Sequence, residues 1–343
     1  MKCINTVDAV GAVLCHDITV IVKDVKKGVA FKKGHIVTEA DIPELLKLGK
    51  DHLYVWEKDE SMLHEDEAAA ILRDVCLGQN MVDGEPSEGK IELKATCDGL
   101  LVIDSERLLA VNDIEQIMIA SRHGMTPVKK GDKLAGTRVI PLVIAKEKMD
   151  RVRRAAGDQP LMNVLPFKPL RCGIVTTGSE VYYGRIQDTF TPVVEAKVAE
   201  YGMTVIGQEK CPDDKDMIIA AIHRLRDAGA ELILTTGGMS VDPDDRTPAA
   251  IRDSGARVVT YGAPVLPGAM LLVGYLPGRD GGEIPVLGLP GCVMYARRTI
   301  FDLVLCRVAA GIEIRRRDIV EMGEGGLCLN CPVCTYPNCG FGK

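Results

Sequence analysis

Three stretches of this chain combine residue types that can do chemistry. Two are glycine turns with hydroxyl neighbours, Val175-Thr176-Thr177-Gly178-Ser179 and Leu234-Thr235-Thr236-Gly237-Gly238. Glycine lets the backbone turn sharply and lets a ligand approach the main chain. Turn N–H groups near a helix start, with threonine and serine hydroxyls, suit an anion such as phosphate. Neither turn matches the dinucleotide or P-loop fingerprint. One such turn alone reads as the end of a buried strand, whereas two at equivalent strand ends point to a ligand site. The second turn runs into Ser240-Val241-Asp242-Pro243-Asp244-Asp245-Arg246-Thr247-Pro248. Carboxylates at Asp242, Asp244 and Asp245 suit Mg²⁺, which takes oxygen ligands and bridges to substrate phosphates. The same residues also make a turn, with Thr247 as a helix N-cap. Asp188, after the first turn, is the second candidate carboxylate.

The third stretch is the end of the chain. Twelve cysteines are present, and four of them, Cys328, Cys331, Cys334 and Cys339, fall in the last sixteen residues with spacing C-x₂-C-x₂-C-x₄-C. Four thiolates this close can wrap one metal centre. The opening C-x₂-C-x₂-C is similar to the iron–sulfur run of bacterial ferredoxins, with a longer last gap. Zinc ribbons separate two C-x₂-C pairs by a longer loop. An iron–sulfur cluster, a structural zinc and a metal-free thiol tail all stand as readings. The other eight cysteines are single and need no special chemistry. The six histidines show no ligand spacing.

Elements to position these residues follow from periodicity. Over 168–312, strand and helix signals alternate. Cys172–Thr176, Met203–Gly207, Glu231–Thr235, Val258–Tyr261, Met270–Tyr275 and Ile284–Leu289 read as strands. Helices are predicted over Thr191–Tyr201 and Asp214–Ala228, from Thr247, and from Pro290-Gly291 to Ala309. This rhythm predicts an α/β domain, a doubly wound and mostly parallel sheet with ligands at the carboxyl ends of its strands. Residues 1–165 read as a smaller α+β or β-rich region, in two parts near 1–80 and 90–145. It carries helices over Glu65–Leu77 and Ile114–Ser121 and a loop over Gln79–Lys90. Asp158–Pro169 reads as a linker, and 313–343 as a tail too short of apolar residues to form its own core.

Composition bounds the function. The 343 residues are 46% hydrophobic and 26% charged, which excludes global disorder. Lys and Arg total 42 against 48 Asp and Glu, a net charge of −6, which argues against a broad nucleic-acid surface. No apolar run reaches the ~18 residues of a membrane helix, and Asp8, His16 and Asp17 interrupt any secretory signal. The expectation is a cytoplasmic protein with reduced thiols.

With these residues in view, the chain resembles the molybdopterin-binding superfamily: molybdopterin adenylyltransferases, molybdenumtransferases, gephyrin and CinA-like proteins. Thr235-Thr236-Gly237-Gly238-Met239-Ser240 with Asp245, Thr247 and Pro248 carries one signature. Ile174–Glu180, Gly184-Arg185-Ile186 and Asp188 carry another, and Pro267-Gly268 and Leu289-Pro290-Gly291 two more. The resemblance implies that Thr176, Thr177, Gly178, Ser179, Thr235, Thr236, Gly237, Gly238, Ser240, Thr247, Pro267, Gly268, Pro290 and Gly291 bind the pterin. It implies that Asp245 and Asp188 are the catalytic acids, that Asp242 and Asp245 face Mg²⁺, and that the protein is a homo-oligomer. It implies work in molybdenum-cofactor biosynthesis: binding molybdopterin or adenylyl-molybdopterin and transferring molybdate or an adenylyl group. Two alternatives are a non-catalytic delivery module docking on a molybdoenzyme, with a metal-bearing tail, and a CinA-like nucleotide pyrophosphate hydrolase. The chain departs from the molybdenumtransferase branch at two places. Ala269-Met270 stands where Lys-Pro is usual, and Cys292-Val293 where Asn-Pro is. The lost lysine removes a cation for an oxyanion. Cys292 would be activated if it sat at a helix N-terminus, or inert if packed as a small apolar residue.

Overall fold

A computed structural model describes residues 2–22, 26–55, 60–240, 242 and 245–343. By internal contacts, Met1–Cys97, Val102–Gly124 and Lys130–Val164 form one compact unit. Asp98–Leu101, Met125–Lys129 and Leu165–Lys343 form the other. Among the described residues no helix is long and apolar enough to cross a membrane.

The first unit is α+β. Near its start, Lys2–Asn5 pairs antiparallel with His52–Val55, and Leu14, Ile18, Val37, Leu45 and Leu53 make a small core. Beyond it, Met81–Asp83, Lys90–Ala95, Lys133–Val139 and Ile117–Ser121 lie in that order in an antiparallel sheet. Helix Glu65–Cys76 packs on that sheet. Three expectations fail in this unit. Ile114–Ser121 is not a helix: Ile117 and Ile119 are buried while Met118 and Ala120 are not, the period of a strand, and the helix is Ser105–Asn112 before it. Gln79–Lys90 is not all loop, because Met81–Asp83 joins the sheet edge with Met81 buried. The linker over Asp158–Pro169 contains the strand Met162–Pro166, whose Met162 and Val164 are fully buried.

In the second unit the elements are β1 (Arg171–Thr177), α1 (Phe190–Ala199), β2 (Thr204–Cys211), α2 (Lys215–Asp227) and β3 (Leu232–Thr236). There follow α3 (Thr247–Asp253), β4 (Arg257–Tyr261), β5 (Leu272–Pro277), β6 (Glu283–Leu289), α4 (Ile300–Ala309) and α5 (Arg316–Glu321). The sheet order is β2-β1-β3-β6-β5-β4. Strands β2, β1, β3 and β6 are parallel, and only β5 runs against the rest. The chain moves outward from β1 to β2 through α1, then back across to β3 through α2. Right-handed crossovers in opposite directions put α1 and α2 on opposite faces. On the α2 face, Ile218, Ala221, Ile222 and Leu225 pack with Ala250 and Ile251 of α3 on Val175, Ile233 and Val286. Strands β1 and β3 are buried on both faces, which is why they read as continuous apolar runs.

The helix expected from Pro290-Gly291 to Ala309 is two pieces. Gly291–Met294 is a single 3₁₀ turn, and α4 restarts at Thr299, whose hydroxyl accepts the Phe301 N–H while Asp302 accepts the Thr299 N–H. That capping box is the physical reason for the break. Asp302 is also held by buried Lys197 at 2.7 Å and by Arg298 at 2.9 Å.

Candidate functional site at the strand ends

Parallel pairing aligns the three glycine-bearing turns. Thr176 of β1 pairs with Thr236 of β3, and Thr236 pairs with Leu289 of β6. The turns at Gly178, Gly237 and Pro290-Gly291 therefore leave the same end of three neighbouring strands, where doubly wound sheets hold ligands.

The two threonine–glycine turns, alike in sequence, are built differently. In the first, the Gly178 N–H donates to the Cys211 carbonyl at 3.2 Å, and the Ser179 N–H to the Asp213 carboxylate at 2.8 Å. Asp213 comes from the loop after β2 and was not singled out in the sequence; its only signal was a pair of acids, Asp213-Asp214, at a strand end. The first turn thus spends its donors inside the protein. In the second turn, the Gly237 N–H faces the Leu289 carbonyl in the ladder to β6, while among the described residues the Gly238 N–H has no hydrogen-bond acceptor. The Thr236 hydroxyl is buried without a hydrogen-bond partner. A buried hydroxyl left unpaired costs about 1–3 kcal/mol, so an orphan at a strand end is the mark of a place kept for something else.

The two turns press against each other. The Thr177 hydroxyl donates to the Thr236 carbonyl at 3.1 Å and meets the Thr247 hydroxyl at 3.1 Å. Thr247, read as a cap, is instead the first residue of α3 and spends its side chain on this contact. Gly237 has φ +85°, and a Cβ there would run into the Thr177 carbonyl. A Cβ on Gly238 would come within 2.8 Å of the Thr247 hydroxyl. Both positions therefore need glycine for conformation and for space.

Asp188 holds a polar knot beside the first turn. Its carboxylate accepts the N–H groups of Phe190 and Thr191 at 3.0 and 3.1 Å, the Thr191 hydroxyl at 2.7 Å and the Gln208 amide at 2.6 Å. Gln208 also reaches Thr176 at 2.8 Å. Burial works to raise the Asp188 pKa, but these donors outweigh it and hold the carboxyl below its ordinary value. Gln208 carries no sequence signal, since it is one polar residue in an alternating strand. All four bonds to Asp188 serve the start of α1 and its link to β2.

The acidic stretch is only partly described. Asp244 lies outside the described residues. The Asp242 N–H donates to the Asp245 carboxylate at 3.3 Å, and the Asp245 N–H to the Asp242 carbonyl at 2.9 Å, a small turn closed on itself. Tyr261, at the end of β4, donates its hydroxyl to the Met239 carbonyl at 2.8 Å and the Ser240 carbonyl at 3.3 Å. Burial, and then the charge of Asp245, push its pKa up. Pro267-Gly268 packs on the start of α4, where the Ile300 N–H donates to the Pro267 carbonyl at 3.1 Å.

Among the described residues, the one group of three or more metal-ligating side chains within 4.8 Å of one another is His64, Glu65 and Asp66. His64 caps the helix Glu65–Cys76, its Nε2 meets the Cys15 carbonyl at 2.6 Å, and Lys33 sits on Asp66, so this is a helix cap and not a metal site. No three of the tail cysteine sulfurs form such a group. Cys292 lies within the 3₁₀ turn Gly291–Met294, too short to act as a helix N-terminus, and burial pushes its thiol up, contrary to an activated thiolate. Burial likewise raises Cys76, Cys172 and Cys306 to about 12 and Cys211 to about 11, which leaves them inert.

Residues 173–310 match a family described as a probable molybdopterin binding domain, and residues 3–57 match a domain of unknown function, DUF8806. The chain is 26% identical over 201 residues to the molybdopterin molybdenumtransferase of Synechococcus elongatus, covering 55% of this chain and 47% of that protein. It is 39% identical over 77 residues to a CinA-like protein of Mycobacterium avium, 22% of this chain and 18% of that one. The chain thus spans less than half the length of these curated relatives. Among solved structures, the tungsten cofactor synthesizing protein MoaB from Pyrococcus furiosus superposes with a TM-score of 0.33 at 18% identity, over 40% of this chain and 88% of that one. The cysteine tail lies outside both family matches. Residues 173–310 are a member of the molybdopterin-binding domain family.

Proposed function

We propose that this chain serves molybdenum-cofactor biosynthesis by binding molybdopterin, or its adenylylated form, across the ends of β1, β3 and β6. The observation that carries the reading is the second glycine turn. Its Gly238 N–H and the unpaired Thr236 hydroxyl match the acceptor-rich phosphate of the pterin. Asp245, with Asp242, supplies hard oxygen ligands at the turn's exit. Mg²⁺ keeps open positions for substrate phosphate oxygens beside such carboxylates. Bound there, Mg²⁺ would offset the phosphate charge. Asp188 is a positioning residue that fixes α1 and Thr176. The chain has Ala269 where a lysine would face molybdate, so cofactor binding and handling is favoured over molybdate insertion. A homo-oligomer and a molybdoenzyme client are part of the same proposal.

The test is titration with purified molybdopterin, with and without Mg²⁺. Thr236→Val should leave the free protein as stable or about 1 kcal/mol more stable, since it removes an unpaired hydroxyl, yet weaken binding roughly tenfold. Asp245→Ala should erase the Mg²⁺ dependence. Unchanged affinity in both variants would refute the site. The match to CinA-like proteins favours a second reading, hydrolysis of a nucleotide pyrophosphate at the same turns. Failure to cleave a panel of nucleoside diphosphate derivatives removes it.

A further inference from the structure

The strand-end site leaves the cysteine tail without a role. Cys328, Cys331, Cys334 and Cys339 line one cavity of about 590 Å³, and no other cysteine does. Its opposite wall is Pro267 and Tyr295–Arg298, the segment that follows the Pro290-Gly291 turn. We propose that these four cysteines ligate a four-iron iron–sulfur cluster in this cavity. The proposal is independent of the pterin reading.

Size speaks first. Tetrahedral zinc with Zn–S near 2.3 Å sets its sulfurs about 3.8 Å apart. No three of the tail sulfurs lie within 4.8 Å of one another. Thiols that line one cavity yet spread beyond this spacing suit a multi-iron core better than a single ion.

Charge speaks second. The cavity wall holds two guanidinium groups, Arg297 and Arg298, and neither a carboxylate nor a histidine. Arg297 donates to the carbonyls of Cys331 and Pro332 at 3.2 and 2.7 Å, and Arg298 stacks over Tyr336 at 5.0 Å. Arg298 is already paired with Glu200 and Asp302 at 2.7 and 2.9 Å, so Arg297 is the cation left beside the core. A core bound by four thiolates is an anion, and that guanidinium stabilises its charge. A hydrated hard cation would want the reverse lining.

The fold around the segment gives the third argument. The stretch is fastened at both ends. Leu327 bridges to Leu266 and the Cys328 N–H donates to the Leu266 carbonyl, while Phe341 is buried and the Gly342 N–H meets the Gly325 carbonyl. Between them, twelve residues contain neither helix nor strand, and Leu329 and Val333 are 79% and 75% exposed. A metal centre supplies the missing constraint in such a loop. On ligation each thiol gives its proton to solvent as its sulfur–iron bond forms.

The experiment uses the full chain, purified without oxygen and treated with ferrous and ferric iron and sulfide. After desalting, about four iron and four sulfide per chain should remain, with a brown chromophore that dithionite bleaches. Cys331→Ser combined with Cys334→Ser, both at exposed positions, should hold roughly tenfold less iron, while Cys3→Ser should hold as much as wild type. Retention of zinc in place of iron, absence of both metals, or full iron in the double variant would each overturn the proposal. If the double variant does not fold, the iron and sulfide content of the wild-type chain decides alone.

Discussion

The two threonine–glycine turns are near copies in sequence and opposites in use. At Gly178-Ser179 the acid Asp213 reaches in and takes a donor that a ligand would need. At Gly237-Gly238 no side chain among the described residues does so, and a hydroxyl is left unpaired. A motif therefore reports where a backbone can turn and be approached. Whether the turn is open is decided by residues from another strand end, which the motif does not contain.

The largest effect should come from the open turn's own backbone. Gly237→Ala meets both a positive φ and the Thr177 carbonyl, and should cost about 3 kcal/mol or more in urea unfolding. A cost under about 0.5 kcal/mol would mean the turns are not pressed together as described. Asp213→Ala should cost about 1–2 kcal/mol by stranding the Ser179 N–H, yet leave molybdopterin affinity unchanged. Lost affinity there would make the two turns equal partners after all.

The smallest effect is a pH dependence. Asp188 has a lowered native pKa, so its stabilising bonds are fully present above the ordinary value near 3.8 and fade as pH falls through the lower native value. Asp188→Asn should cost about 1 kcal/mol near neutral pH and flatten the acid limb of the stability curve. An unchanged acid limb would show that the knot around Gln208 and Thr191 does not depend on the charge.

Much of this was legible in the sequence. The strands β1, β3 and β6 announce themselves as apolar runs ending in glycine, and their parallel register follows from the alternating rhythm. What was hidden depends on contacts distant in sequence. Gln208 and Asp213 act through residues 20 to 34 positions away. Ile117–Ser121 reads as a helix by composition because its exposed face carries Met118, an apolar residue where a strand normally shows a polar one. The break before α4 was written in Thr299 and Asp302, a capping box that an apolar helix pattern overshadows. The tail is the reverse case. Its spacing left an iron–sulfur cluster, a zinc and a metal-free thiol tail all open, and only the cavity walls bear on which occupant they would suit.

Strand direction also divides the α/β unit into two ends with different freedoms. The turns at Gly178, Gly237 and Pro290-Gly291, where the ligand is proposed, leave by the carboxyl ends of β1, β3 and β6. The hairpin between β5 and β6 lies at the other end, closed by the Gly278 N–H on the Gly282 carbonyl, with Asp280 and Gly281 exposed. That tip is the natural port for a fluorescent or affinity insertion, because lengthening it moves none of the backbone on which the ligand turns stand.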